Sequence, residues 1–118
     1  MRKHQNLDVW KDAMLLVTYV YQLTATFPDN ERFGLTGQMR RAAISVPSNI
    51  AEGAARGSKA EFVRFLHIAR GSLSELDTQL MLAVQLNLTT EVHQASQLIN
   101  RVFALLGGLI RHLKNEGR

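Results

Sequence analysis

The stretch SKAEFVRFLHIARGSLSELDTQLMLA, residues 58–83, decides the fold. Ser58 and Glu61 form an S-x-x-E pattern, which is typical of the first turn of an α-helix. After it, apolar residues recur at alternating spacings of four and three, so they lie on one helix face and predict packing against other helices. The residues of this face are Phe62, Leu66, Ala69, Leu73, Leu76, Leu80 and Ala83.

Three further segments show a helical apolar pattern, and no segment alternates apolar and polar residues as a half-buried strand does. The first ends near Phe27 because Pro28 disfavours the α conformation in the residue before it. The predicted helices cover about 8–26, 36–54, 59–87 and 90–116. The apolar faces of the other three are Val9, Ala13, Leu16, Val20, Leu23 and Phe27; Met39, Ala42, Val46 and Ile50; and Val92, Ala95, Ile99, Val102, Leu106, Leu109 and Leu113.

Four helices joined by short connections predict an all-α protein, an antiparallel up-down-up-down four-helix bundle. The chain of 118 residues has the length of one domain, so we assign 1–118 to a single bundle. Pro47 lies inside the second helix, where its ring removes a backbone hydrogen bond and crowds the Ala43 carbonyl. We therefore expect this helix to be kinked near 43–46.

The apolar surface of the first helix is wider than one bundle core requires. A second stripe, Trp10, Met14, Val17 and Tyr21, follows the first stripe one residue later. In the fourth helix Leu98, Phe103, Leu105 and Ile110 lie off the main stripe, and the Gly107-Gly108 pair predicts close approach of another helix. Because a soluble monomer rarely exposes large apolar patches, we expect copies of the chain to self-associate.

Composition limits the classes of function. Cysteine is absent, which removes disulfides and thiolate metal sites and fits a reducing compartment. The polar N-terminus leads into no apolar run of signal-peptide or membrane length, so we expect a cytoplasmic protein with no membrane partner.

No constellation of residues indicates an enzyme. The four histidines are scattered, no H-E-x-x-H or Glu-x-x-His motif is present, and Gly53–Gly57 lacks the Lys-Ser/Thr of a phosphate-binding P-loop. Glu75 and Asp77 lie two residues apart and so point to different helix faces. We expect no catalytic residues, no metal site and no cofactor.

The formal charge of +4 is unevenly placed along the predicted bundle. One end collects the start of the first helix, the connection between the second and third, and the end of the fourth. The opposite end carries Arg32, Arg40, Arg41, Arg70 and Arg101 against an equal number of carboxylates. A basic end of this kind predicts phosphate-led binding of RNA or another nucleic acid. The candidate residues are Arg2, Lys3, Lys11, Arg56, Lys59, Arg64, Arg111, Lys114 and Arg118.

A polar stripe follows the second helix, and a second stripe, Arg64, Gly71 or Ser72, Glu75 and Gln79, follows the third. Either these residues face solvent, or they form a partly buried polar network at a subunit interface that fixes orientation. We favour the interface, with Gln38, Arg41, Ser45, Asn49, Glu52 and Glu75 as its candidate residues.

Two central runs, QMRRAAISVPSNIAEG at 38–53 and FVRFLHIARGSLSEL at 62–76, resemble the four-helix bundle proteins encoded by intervening sequences in bacterial 23S ribosomal RNA genes. The similarity extends to residues 7–10, Phe27-Pro28 and 31–35 and weakens after about Leu88. It implies a homopentamer without enzymatic activity. It also implies kinship with accessory proteins of diversity-generating retroelements, basic pentamers that bind nucleic acid and a reverse transcriptase.

Two functions remain open at this point. The first is an oligomer that binds RNA or other nucleic acid with low sequence specificity. The second is a structural or adaptor oligomer that docks a protein partner and binds no nucleic acid.

Overall fold

A computed structural model of the chain describes the backbone of residues 2–116 and the side chains of residues 2–115. Within this range the protein contains four α-helices: α1 (Asp8–Thr24), α2 (Leu35–Ala55), α3 (Lys59–Gln85) and α4 (His93–Glu116). Two 3₁₀ turns, Lys3–Asn6 and Asp29–Glu31, precede α1 and α2. The prediction of an all-helical bundle is confirmed, and the described residues include no strand.

Each helix contacts two neighbours. α2 packs against α1 and α3, and α4 packs against α1 and α3, whereas the diagonal pairs make no comparable contact in the described chain. Ser45 of α2 hydrogen-bonds Ser72 of α3, and Gly53 faces Phe62 and Phe65. From Ser45 to Gly53 along α2, the contacted residues of α3 go back from Ser72 to Phe65 and Phe62. α2 and α3 are therefore antiparallel. The complete up-down-up-down order and the kink near Pro47 stay predictions; Pro47 itself is buried within α2.

The core follows the predicted stripes closely. Every residue of the predicted α2 and α3 faces is buried, and so are five of the six of α1, with Leu23 half-buried. The end of α4 departs from the pattern: Ile110 is only 4% exposed, whereas Leu109 and Leu113 are half-buried. A straight α-helix has 3.6 residues per turn, so a seven-residue pattern drifts around it, and the buried position moves by one residue.

The ends of α3 have clear local causes. Ser58 adopts an extended conformation and its Oγ accepts a hydrogen bond from the Glu61 backbone N–H at 3.1 Å, as the S-x-x-E pattern predicted. At the other end Asn87 has a φ of 60°, and the Leu88 N–H reaches back to the Ala83 carbonyl at 2.9 Å. This is a Schellman-type ending, which stops α3 two residues before the predicted position.

Close approach of α2 and α3 depends on Gly53. A Cβ atom built there would lie 2.7 Å from Cβ of Phe65 and 3.1 Å from Cδ1 of Phe62. Only glycine fits at that separation. The Gly107-Gly108 pair behaves differently, because the only described atoms near added Cβ atoms belong to the Arg111 guanidinium, at 3.4 and 4.0 Å. No other helix of the described subunit approaches this pair, and approach by a helix of a second copy stays a prediction.

Candidate nucleic-acid interface

A cavity of about 290 Å³ marks the basic end of the bundle. Segments far apart in sequence meet there: the N-terminal 3₁₀ turn supplies Lys3, the α2–α3 connection supplies Gly57 and Ser58, and the last turns of α4 supply Leu113. The other residues that line the cavity are Lys59 and Phe62 of α3 and Gly53 and Ala54 of α2. The predicted meeting of these three chain regions at one end is present in the structure.

The connection that lines this cavity is built around one glycine. Gly57 has a φ of 83°, a conformation that L side chains rarely adopt, and no atom lies within 4 Å of the place a Cβ would occupy. The chain then extends through Ser58 into α3, so Lys59 stands at the first helical position. Here the N–H groups of the first turn add positive potential to the lysine charge.

The eight candidate cations within residues 2–115 are all exposed, and Arg118 lies outside the described residues. Arg56 and Arg64 are held in place: their guanidinium groups each lie 4.8 Å from the centre of the Phe65 ring. Arg56 also pairs with Glu52 at 3.2 Å, and Arg64 pairs with Glu61 at 2.9 Å. These two arginines therefore bring less uncompensated charge than their number implies.

Arg111 lies along the surface of its own helix, beside the two glycines of α4. The absence of side chains at 107 and 108 leaves room for the guanidinium against the helix. Sequence reasoning treated these glycines as a packing site; their spacing of three and four residues from Arg111 was the signal that could have linked them to a basic residue.

Two arginines assigned to the opposite end contact groups near the basic end. Arg101 of α4 forms an ion pair with Asp12 of α1. Arg70 hydrogen-bonds Nδ1 of His67 at 2.8 Å, and the positive charge of Lys114 also acts on His67 and lowers its pKa. The division of charge into two separate ends is therefore less sharp than the sequence count indicated, because the pairing of α1 with α4 that joins Tyr19 to Gln94 also sets Arg101 level with Asp12.

The pKa of His67 lies below its ordinary value. Surrounding atoms displace water from the ring, and the positive charges of Arg70 and Lys114 oppose protonation. Arginine has no hydrogen-bond acceptor, so Nδ1 of His67 must be the acceptor of the contact with Arg70. The neutral ring is favoured on both grounds.

Part of the predicted polar stripe lies between helices of the same subunit. Ser45 Oγ and Ser72 Oγ are 2.8 Å apart, and the Asn49 amide donates to the Ser45 carbonyl and hydroxyl at 2.8 and 2.9 Å. Gln79 of the α3 stripe is buried within the subunit and does not face solvent, and its Oε1 lacks a partner in the described residues. The remaining candidates are exposed, and a role between subunits stays a prediction for them: Gln38, Arg41, Glu52 and Glu75.

The described residues hold neither a metal-binding cluster nor a membrane-spanning helix. No group of three or more His, Asp or Glu side chains among them is arranged to hold a metal ion. None of the described helices is both long and apolar enough to cross a membrane.

Comparison with known proteins gives a family and a fold. A solved structure from Bacteroides thetaiotaomicron, described as a protein of unknown function from the S23 ribosomal protein family, superposes with a TM-score of 0.73. Its sequence identity is 22%, over 87% of this chain and 95% of that one, so the likeness shows the fold alone. No curated protein matches the sequence.

The sequence profile of one family matches residues 5–108, which is most of the chain and includes both central runs that carried the resemblance. The match begins in the N-terminal 3₁₀ turn and ends within α4. The chain belongs to the 23S rRNA-intervening sequence protein family.

Proposed function

We propose that the protein is a non-catalytic, self-associating bundle that binds RNA or another nucleic acid through its basic end, with little dependence on base sequence. The observation that supports this most directly is the cavity where Lys3 and Lys59 meet. Arg2 next to Lys3, Lys11 of α1 and Lys114 of α4 add exposed positive charge.

Phosphate contacts explain this arrangement better than base recognition does. Phe62 and Phe65 are buried, and Trp10, Tyr19 and Phe103 are half-buried, so few aromatic rings near the basic end are available to stack on bases. Binding would then draw its free energy from counterion release, which is insensitive to sequence and weakens with salt. Self-association would multiply the effect, since a ring of about five parallel copies would present a charge of about +20.

The experiment is a salt series of RNA binding followed by fluorescence anisotropy. Replacing Lys3, Lys11, Lys59, Arg111 and Lys114 by glutamine should abolish binding at moderate salt. Lys3→Gln alone should reduce the slope of log affinity against log salt by about 0.7–0.9, the value expected for one phosphate. Arg101→Gln is the matched control, because it removes one exposed charge from α4 at a residue that belongs neither to the candidate cations nor to the candidate subunit interface.

Two results would contradict the proposal: an affinity that does not change with salt, or an Arg101→Gln variant that loses as much affinity as Lys3→Gln. Either would mean that the basic end does not hold the phosphates.

One observation favours the second candidate function, a structural or adaptor oligomer that docks a protein partner. Large apolar side chains are exposed near the α1–α2 and α3–α4 connections, among them Phe33 at 91%, Met81 at 66% and Leu86 at 58%. If the purified protein binds no nucleic acid even at low salt, this becomes the better explanation.

A further inference from the structure

The Phe33 side chain is the most exposed of the large apolar side chains in the described residues, at 91%. It lies between the Asp29–Glu31 turn and α2, where the Gly34 N–H donates to the Glu31 carbonyl at 3.0 Å and fixes the backbone. An apolar side chain left in water at such a position favours association with another apolar surface. An ordered turn therefore presents a large apolar side chain that the subunit itself does not cover.

An apolar cavity of about 220 Å³ lies between α3 and α4. We call it the Met81 cavity; its lining residues are Leu80, Met81, Val84, Val92 and Ser96. Met81 is 66% exposed and Val84 40%, so the cavity opens to the surface. A dry cavity of about 150 Å³ can hold a benzene ring, so this one has room for a phenylalanine side chain.

Phe33 and the Met81 cavity lie at the same height along the bundle but on different sides. The Ser45–Ser72 bond fixes the antiparallel register of α2 and α3, which brings the start of α2 level with the last turn of α3. Phe33 belongs to the α1–α2 side, whereas the cavity belongs to the α3–α4 side. Two parallel copies placed side by side can therefore bring Phe33 of one to the cavity of the other.

The charges beside the two features are opposite. Arg32, next to Phe33, lies 5.5 Å from the ring centre and forms no ion pair with a carboxylate of the described residues. Glu91 directly precedes Val92, and Asp77 lies one helical turn before Met81. Neither of these carboxylates forms an ion pair within the described range. Docking would bring a cation to two carboxylates that lack such a partner.

We propose that Phe33 of one copy inserts into the Met81 cavity of a second copy, with Arg32 facing Asp77 and Glu91. This contact joins two different surfaces, so each added copy offers the same surfaces to the next, and a closed ring results if the rotation closes. The proposal rests on the self-association included in the proposed function. It adds the residues of the contact, and their equal height along the bundle accounts for the parallel orientation that places all basic ends on one face.

The absence of cysteine in the natural sequence allows a direct experiment. A Phe33→Cys protein is mixed with a differently tagged Met81→Cys protein and oxidised gently. We expect a mixed disulfide dimer, and a ladder of larger species when one chain carries both substitutions. Ala60→Cys mixed with Phe33→Cys is the control, since Ala60 is exposed in the first turn of α3 and should give no mixed dimer.

Three further variants keep the result independent of folding. Phe33→Ala removes an exposed side chain, so thermal unfolding should be unchanged at a concentration where both proteins are monomeric, while the mass from light scattering falls at higher concentration. Arg32→Glu should weaken assembly, and adding Glu91→Arg should restore part of it.

The outcomes separate this contact from self-association in general. An oligomer that gives no disulfide between positions 33 and 81, or mainly disulfides between position 33 of two copies, overturns the proposed contact but leaves self-association intact. A wild-type monomer at micromolar concentration overturns both.

Discussion

At the scale of single residues, the separation of α2 and α3 is set by Gly53. Gly53→Ala should destabilise the subunit, because the new methyl would meet the Phe65 Cβ, which is attached to the backbone and cannot swing away. Overpacking of this kind costs about 1–3 kcal/mol and the better helix propensity of alanine returns about 1 kcal/mol, so we expect a net loss of up to about 2 kcal/mol. Urea unfolding of the two proteins measures it.

The control for that substitution lies on the facing helix. Gly71 of α3 is exposed, and a Cβ atom added to it would meet no atom within 4 Å. Gly71→Ala should therefore stabilise by about 0.5–1 kcal/mol. Equal effects at both positions would show that helix propensity alone, and not the approach of α2 to α3, decides the response.

His67 gives a prediction about pH. Its pKa in the folded protein lies below its ordinary value of 6.5, so the folded state binds fewer protons than the unfolded state between that lowered pKa and 6.5. The stabilising contribution of the neutral ring is present above pH 6.5 and is lost as the pH falls through this window. NMR titration should show the lowered pKa in the wild type and a rise in Arg70→Gln. A pKa at or above 6.5 in the wild type would contradict the surroundings that the structure gives this ring.

At the scale of helices, Pro47 connects local geometry with assembly. It lies inside α2 and borders a second apolar groove that includes Trp10 and Ile44. Pro47→Ala restores a backbone donor, so the thermal midpoint of the subunit should stay the same or rise. The substitution should also straighten the predicted kink, and assembly should weaken because the kink shapes the surface that meets the next copy. Thermal unfolding and light scattering measure the two effects. A variant that loses stability and still assembles normally would assign Pro47 to internal packing.

The sequence was sufficient for the helices and most of their buried faces, because the repeat of apolar residues reports directly which side meets the core. It was insufficient where a glycine sets the distance between two helices, or where a long side chain pairs with a residue far away in the sequence. The change from Leu109 to Ile110 as the buried residue follows from helix drift, and the role of Gly53 depends on the position of Phe65 in another helix. The Arg101–Asp12 pair could not be inferred from position along the chain, since it joins residues 89 apart.

For the candidate site, the sequence predicted which chain segments meet but not how the individual side chains pair. Topology placed Lys3, Lys59 and the end of α4 together, and the structure brings these segments around one cavity. The pairing of Arg56 and Arg64 with carboxylates and with Phe65 required side-chain positions. Phe33, which carries the proposed contact between copies, gave no sequence signal beyond being an aromatic residue in a polar connection.

At the scale of the whole molecule, the exposed apolar side chains predict self-association. Those of α4 contribute less than expected, since Leu98, Phe103 and Leu105 are partly buried against the core. Met14, Tyr21 and Ile44 of the α1–α2 side remain 40–44% exposed. We expect a mass of several subunits at micromolar concentration by light scattering, and a single assembly step when the protein is diluted to monomer.

The central claim is that an assembly of this chain binds a polyanion through its basic ends, and light scattering with and without a structured RNA across a salt series tests it most directly. We predict an oligomer whose mass does not change with moderate salt, and a complex with RNA at low salt that dissociates steeply as salt rises. A monomer at all concentrations, or an oligomer that gains no RNA mass at the lowest salt, would contradict it.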